Sequence, residues 1–262
     1  MSRRSLRQME KTERAHADGI MVDYDSPEAF EEVFWRILDG DGYIRTDRLT
    51  IHQPSEAVLH RYVGYVQAIL DSGNHGATRY LAKNNNNILR LPAIASTFPQ
   101  STIIVPFRDP VQHANSLRRQ HLHFLAGHDR DAFTRDYMTW LAHHEFGSDH
   151  RPFRFADEVN PYTPESLDYW LHSWVHVYHW LSRNAPGNTV FISYESLCDP
   201  ASRAWPALAR KIGIDPGGPA PERLEIRQSI VPDSPDVSLA KQAQAVYADL
   251  RQRESEWCPD GQ

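Results

Sequence analysis

Cysteine, lysine and long apolar runs are what this sequence has least of. Its two cysteines, Cys198 and Cys258, lie far apart with no CxxC or zinc-type spacing. That argues against a cysteine metal site or a disulfide framework and reads as two free thiols in a reducing compartment. No window approaches the roughly 18 apolar residues of a membrane span. The start, "MSRRSLRQMEKTERAHADG", is charged and lacks both a strand pattern and an apolar core segment, so it does not read as a signal peptide. A cytoplasmic location is the expectation. The formal net charge of −6 over 262 residues lacks the basic balance of non-specific nucleic-acid binders, so any anion site must be local. GxxxxGK[ST] is absent as well, which disfavours a Walker-type kinase. Of 28 basic residues only four are lysine, and Lys83 is the only one between positions 12 and 210.

What is there is ordinary globular composition, 40% hydrophobic and 24% charged. Helices are expected in "DYDSPEAFEEVFWRILDG", capped at Asp25 or Ser26 and stopped by Gly40, and after Pro54, where Val58, Tyr62, Val66 and Ile69 form an apolar stripe. "TRYLAKN" (78–84) reads as a short strand delivering Lys83 to its end, and "ILRLPAIASTF" as a helix interrupted near Pro92. "STIIVPF" reads as a buried strand, followed by a helix from Pro110. "DAFTRDYMTWLAHHEF" and "TPESLDYWLHSWVHVYHWLSRNA" read as helices, the second capped by Thr163. "NTVFISYESL" is a further strand, "PASRAWPALARKIG" a helix closed by Gly213, and "DVSLAKQAQAVYADLRQRE" an amphipathic helix. Strands alternating with helices, without repeats or linkers, imply one α/β domain over residues 1–262 with a parallel sheet between helices. Residues 1–20 are expected to be poorly ordered.

In open parallel sheets, ligands sit beyond the C-terminal ends of the strands. Here those ends carry Lys83, Arg108-Asp109 and Tyr194-Glu195. Arg108 precedes a helix whose first-turn amides favour an anion, and Ser116 lies about two turns into it. One guanidinium and one hydroxyl on a phosphate would explain the pairing. The plainer alternative is that Arg108 pairs with a carboxylate and Ser116 is a small packing residue. The histidine-rich "HHEFGSDH" does not read as a metal site, because adjacent histidines on a helix point different ways. His121 and His123 read as packing or solvent-facing, and the seven tryptophans as core.

"FPQSTIIVPFRDPVQHANSLRRQH" resembles the 3′-phosphate-binding segment of the PAPS-dependent sulfotransferases (PAPS is 3′-phosphoadenylyl sulfate). "KNNNNILRLPAI" resembles that family's lysine strand end and following helix, and "VFISYESLCDPASRAWPALARKIGI" its later Tyr-Glu-x-Leu segment. The resemblance covers roughly residues 79 to 213. It implies a P-loop-like three-layer fold and sulfuryl transfer from PAPS to a hydroxyl or amine on a small-molecule, glycan or lipid acceptor, with no metal. Arg108 and Ser116 would bind the 3′-phosphate, Tyr194 would border the adenine or the 3′-phosphate, and Glu195 would support the fold. Lys83 would be catalytic, stabilising charge at the bridging oxygen.

Two departures stand against the family pattern. The Pro-x-x-Gly-Thr-Thr-type loop that cradles the 5′-phosphosulfate is missing, and "SGNHGAT" (72–78) reads as a helix-terminating turn. The expectation is an N-terminally truncated domain lacking the first strand and loop. Further, Asn85 stands where some members, the soluble small-molecule sulfotransferases, carry the base histidine, so no base is assigned. The rival readings are a member that binds only the 3′-phosphoadenosine part, and another nucleotide-dependent transferase.

Overall fold

The computed structural model describes residues 12–13, 21–22, 31–72, 78–157, 159–199, 201–215 and 225–258. Thr12–Glu13 (β1) and Met21–Val22 (β2) form a short antiparallel pair, so the polar N-terminal stretch does contain a strand. The expected caps Asp25 and Ser26, and most of the 72–78 turn, lie outside the described residues.

Helices α1 (Glu31–Asp39) and α2 (Glu56–Ser72) bury Trp35 against Val58, Tyr62 and Val66. Gly40 stops α1 at φ 76°, a left-handed position that suits glycine. The segment 78–84 is not a strand and has no ladder partner among the described residues. Its anchors are Arg79, which donates to the carbonyls of Ile212 and Gly213, and Tyr80, which donates to Glu31. A 3-10 helix follows at Asn85–Arg90, then α3 at Leu91–Thr97. The break falls where Pro92, lacking an N–H, fits only a first turn.

β3 (Ile103–Phe107) pairs in parallel with β4 (Thr189–Ser193), Ile103 opposite Thr189 and Phe107 opposite Ser193. Between them come α4 (Pro110–His128), α5 (Ala132–Trp140) and α6 (Leu167–Asn184). After β4 come α7 (Tyr194–Cys198), α8 (Ala204–Lys211) and α9 (Val237–Trp257). Phe107 and Phe191 join Leu171, Trp174 and Leu250 in the core shared by α4, α6 and α9, while Val190 and Ile192 face Leu208 of α8. Helices thus cover both faces of β4, as a mixed α/β fold requires. β3 is less buried than its apolar run suggested, because Ile104 and Pro106 are exposed.

Three smaller expectations change. Ser166, not Thr163, caps α6: its hydroxyl accepts from the Tyr169 amide at 3.2 Å. α5 stops at Trp140, so "LAHHEF" is not helical. Trp140 is itself exposed rather than core. Both cysteines are buried and outside any disulfide, and no helix among the described residues is long and apolar enough to cross a membrane.

Candidate functional site

The two paired strands deliver their last residues to one place. Asp109 caps α4 by accepting from the Gln112 amide at 2.8 Å, with Pro110 in the first turn. Its own amide donates to Glu195 Oε1 at 2.9 Å, and Glu195 Oε2 lies 3.4 Å from the Tyr247 hydroxyl. Glu195 therefore ties the two strand ends to each other and to α9, a supporting role.

Between them lie Arg108 and Tyr194. The Arg108 guanidinium carbon sits 5.0 Å from the centre of the Tyr194 ring, a cation–π arrangement. Its Nη2 donates to the Arg227 carbonyl at 2.9 Å. Its Nε is buried and has no hydrogen-bond partner among the described residues, an uncommon state for a buried donor. Burial raises the Tyr194 pKa, against the lowering effects of the Arg227 amide and the Arg108 charge.

A strap, residues 225–233, crosses this corner. Tyr194 donates to the Glu225 carbonyl at 2.6 Å, and the Arg227 amide donates back to the Tyr194 hydroxyl at 3.3 Å. Ser229 and Gln112 bond reciprocally, amide to Oε1 at 2.9 Å and Nε2 to carbonyl at 3.2 Å. Asn115 Nδ2 donates to Ser229 Oγ at 2.9 Å, and Arg118 pairs with Asp233. Ser116 is half-buried on α4, one turn beyond Gln112. The strap is invisible to periodicity, since its backbone is held by side chains rather than by a ladder. His113 adds no charge here: burial and the nearby Arg108 push its pKa down to about 4.

Lys83 stands apart, exposed on the segment 78–84, while its neighbours are fixed. Asn84 donates to Glu32 at 2.7 Å and caps the 3-10 helix by accepting from the Asn86 amide at 3.0 Å. Asn85 donates to Glu145 at 2.8 Å. Behind them Arg90, fully buried, grips Glu32 with two bonds of 2.8 and 2.9 Å. The histidines of "HHEFGSDH" do not converge. His144 Nδ1 faces the Asp149 carbonyl, and His150 bridges the His144 carbonyl and the Tyr169 hydroxyl. His121 is buried, accepting from the Gly147 amide at 3.2 Å.

Two paired parallel strands, flanked by helices and ending at Arg108 and Tyr194 beside the start of α4, define a mixed α/β protein. A model of the Sulfotransferase family matches residues 9–215, and the chain belongs to that family. No curated protein and no solved structure gives a significant match.

Proposed function

We propose that the chain is a sulfotransferase moving a sulfuryl group from PAPS to a hydroxyl or amine acceptor. The observation that carries this reading is the buried Nε of Arg108, without a hydrogen-bond partner among the described residues. A phosphate oxygen supplies the acceptor this N–H lacks, in a charge-assisted bond. Ser116 adds a hydroxyl from α4, Tyr194 borders the adenine or the 3′-phosphate, and the strap brings Arg227 alongside. Sulfuryl transfer passes through a loose, in-line transition state like that of phosphoryl transfer, so positioning and charge dominate. Lys83 is the cation for the bridging oxygen as the S–O bond breaks.

Calorimetry with PAP (adenosine 3′,5′-bisphosphate) tests the site. The chain binds PAP, and Arg108→Ala weakens binding at least about tenfold, since a hydrogen bond to a charged group contributes about 1.5–3 kcal/mol. Equal affinity of the two proteins overturns the role of Arg108. Binding of PAP without any transfer favours the second reading, a family member that keeps only the 3′-phosphoadenosine half-site.

A further inference from the structure

Transfer to a neutral hydroxyl needs a group to take its proton. Asn85, two residues after Lys83, cannot do so, but its side chain leads to one that can. Asn85 Nδ2 donates to Glu145 Oε1 at 2.8 Å, and the same carboxylate oxygen lies 3.4 Å from His143 Nδ1. The turn carrying both residues is built to face the 3-10 helix. Ala142 adopts φ 55°, a left-handed conformation that disfavours alanine and is retained where surroundings enforce it. Asn86 Nδ2 holds the Ala142 carbonyl at 3.1 Å, and Arg36 Nη1 holds the carbonyls of Thr139 and Trp140 at 2.9 and 2.7 Å. Glu145 is mostly covered while His143 is 42% exposed, the order expected of an orienting carboxylate behind a working imidazole.

We propose that His143 is the general base for the acceptor, oriented by Glu145, a positioning residue that Asn85 holds in place. This rests on the sulfotransferase reading above. The His143 imidazole takes the acceptor proton as the acceptor oxygen bonds to sulfur. The bond from sulfur to the bridging oxygen breaks, its electron pair leaving on PAP beside Lys83. The other charged groups around the turn are Asp149 and Arg151 in its own segment and Asp41 after α1.

The test compares two probe acceptors with PAPS at about pH 8: phenol, neutral there with a pKa near that of tyrosine, about 10, and 4-nitrophenol, already largely ionised. His143→Asn loses roughly 100-fold or more with phenol, the scale of a lost general base. With 4-nitrophenol the loss shrinks to a few-fold, because no proton needs removing. In Glu145→Gln the carboxylate that favours the imidazolium is gone, so the limb on which rate rises with pH moves to lower pH. A packing role would lower the rate without moving that limb. Equal losses on both phenols or an unmoved limb overturns the base assignment alone, whereas PAP binding without transfer removes the sulfotransferase reading and the base assignment with it. Failure to bind PAP removes both as well.

Discussion

Arg90 has no exposed surface, yet carries a full charge. It lies 4.9 Å from the Trp35 ring centre and 5.1 Å from that of Tyr43, its Nε donates to His52 Nδ1 at 2.9 Å, and both Nη groups reach Glu32. Burial alone would raise the Glu32 pKa, but the hydrogen bonds and charge of Arg90 outweigh it, so the net shift is downward. Glu32 also accepts from Tyr43 and from Asn84, the residue after Lys83. The pair therefore fixes the backbone that presents Lys83. Glu32→Gln leaves Arg90 charged and short of a counter-ion in the interior, a change that costs about 3–5 kcal/mol. Urea unfolding of the purified variant measures it; a loss below about 1 kcal/mol would show that the guanidinium finds compensation elsewhere.

At the scale of elements, the turn after α5 stores strain. Ala142 at φ 55° forgoes about 1–2 kcal/mol that a right-handed conformation would keep. Ala142→Gly relieves this but adds freedom to the unfolded chain, worth about 0.4–1 kcal/mol. The expected net gain is about 0.5–1 kcal/mol, read as a raised melting temperature; a lowered one would mean that the alanine methyl group contributes packing there. This turn also marks where sequence reading stops. Arg108 and Tyr194 are legible because apolar runs end on them, and a strand end is where a parallel sheet binds ligands. α2, α4, α6 and α9 are legible because their apolar spacing is helical. A positive φ at an alanine leaves no such mark, so "DAFTRDYMTWLAHHEF" reads as helix to its end. Segment 78–84 misleads for another reason: its β-branched and aromatic residues resemble a strand, but a strand needs a partner, and here side-chain anchors at Arg79 and Tyr80 take that place. The strap 225–233 escapes because its position depends on Gln112 and Asn115, more than a hundred residues away.

Across the whole molecule, buried and half-buried histidines set the acid limit of stability. His113, His121, His128, His144 and His150 all have lowered pKa values, burial being the largest cause for each. Arg108 adds to the effect at His113, and the neighbouring His121 at His150, where the values fall from 6.5 to about 4. These rings pack where α4, α6 and the 142–151 segment meet, so protonating them means opening that contact. In the unfolded chain they take up protons below about pH 6.5, while the folded protein stays neutral at His113 and His150 down to about pH 4. Stability is then fully present above pH 6.5 and lost as pH falls through that window. Below it Glu145, held at about 2 against the effect of burial by His143 and Asn85, adds a loss of the same sign as unfolded carboxylates gain protons. Urea unfolding at about pH 7.5 and about pH 5 should differ by roughly 2–4 kcal/mol, since each tenfold difference in proton affinity between folded and unfolded chain corresponds to about 1.4 kcal/mol. His113→Gln and His150→Gln each remove part of that difference while leaving the titration of the remaining rings in place. Equal unfolding free energies of the unsubstituted protein at the two pH values would mean that the histidines open to water without loss of the fold.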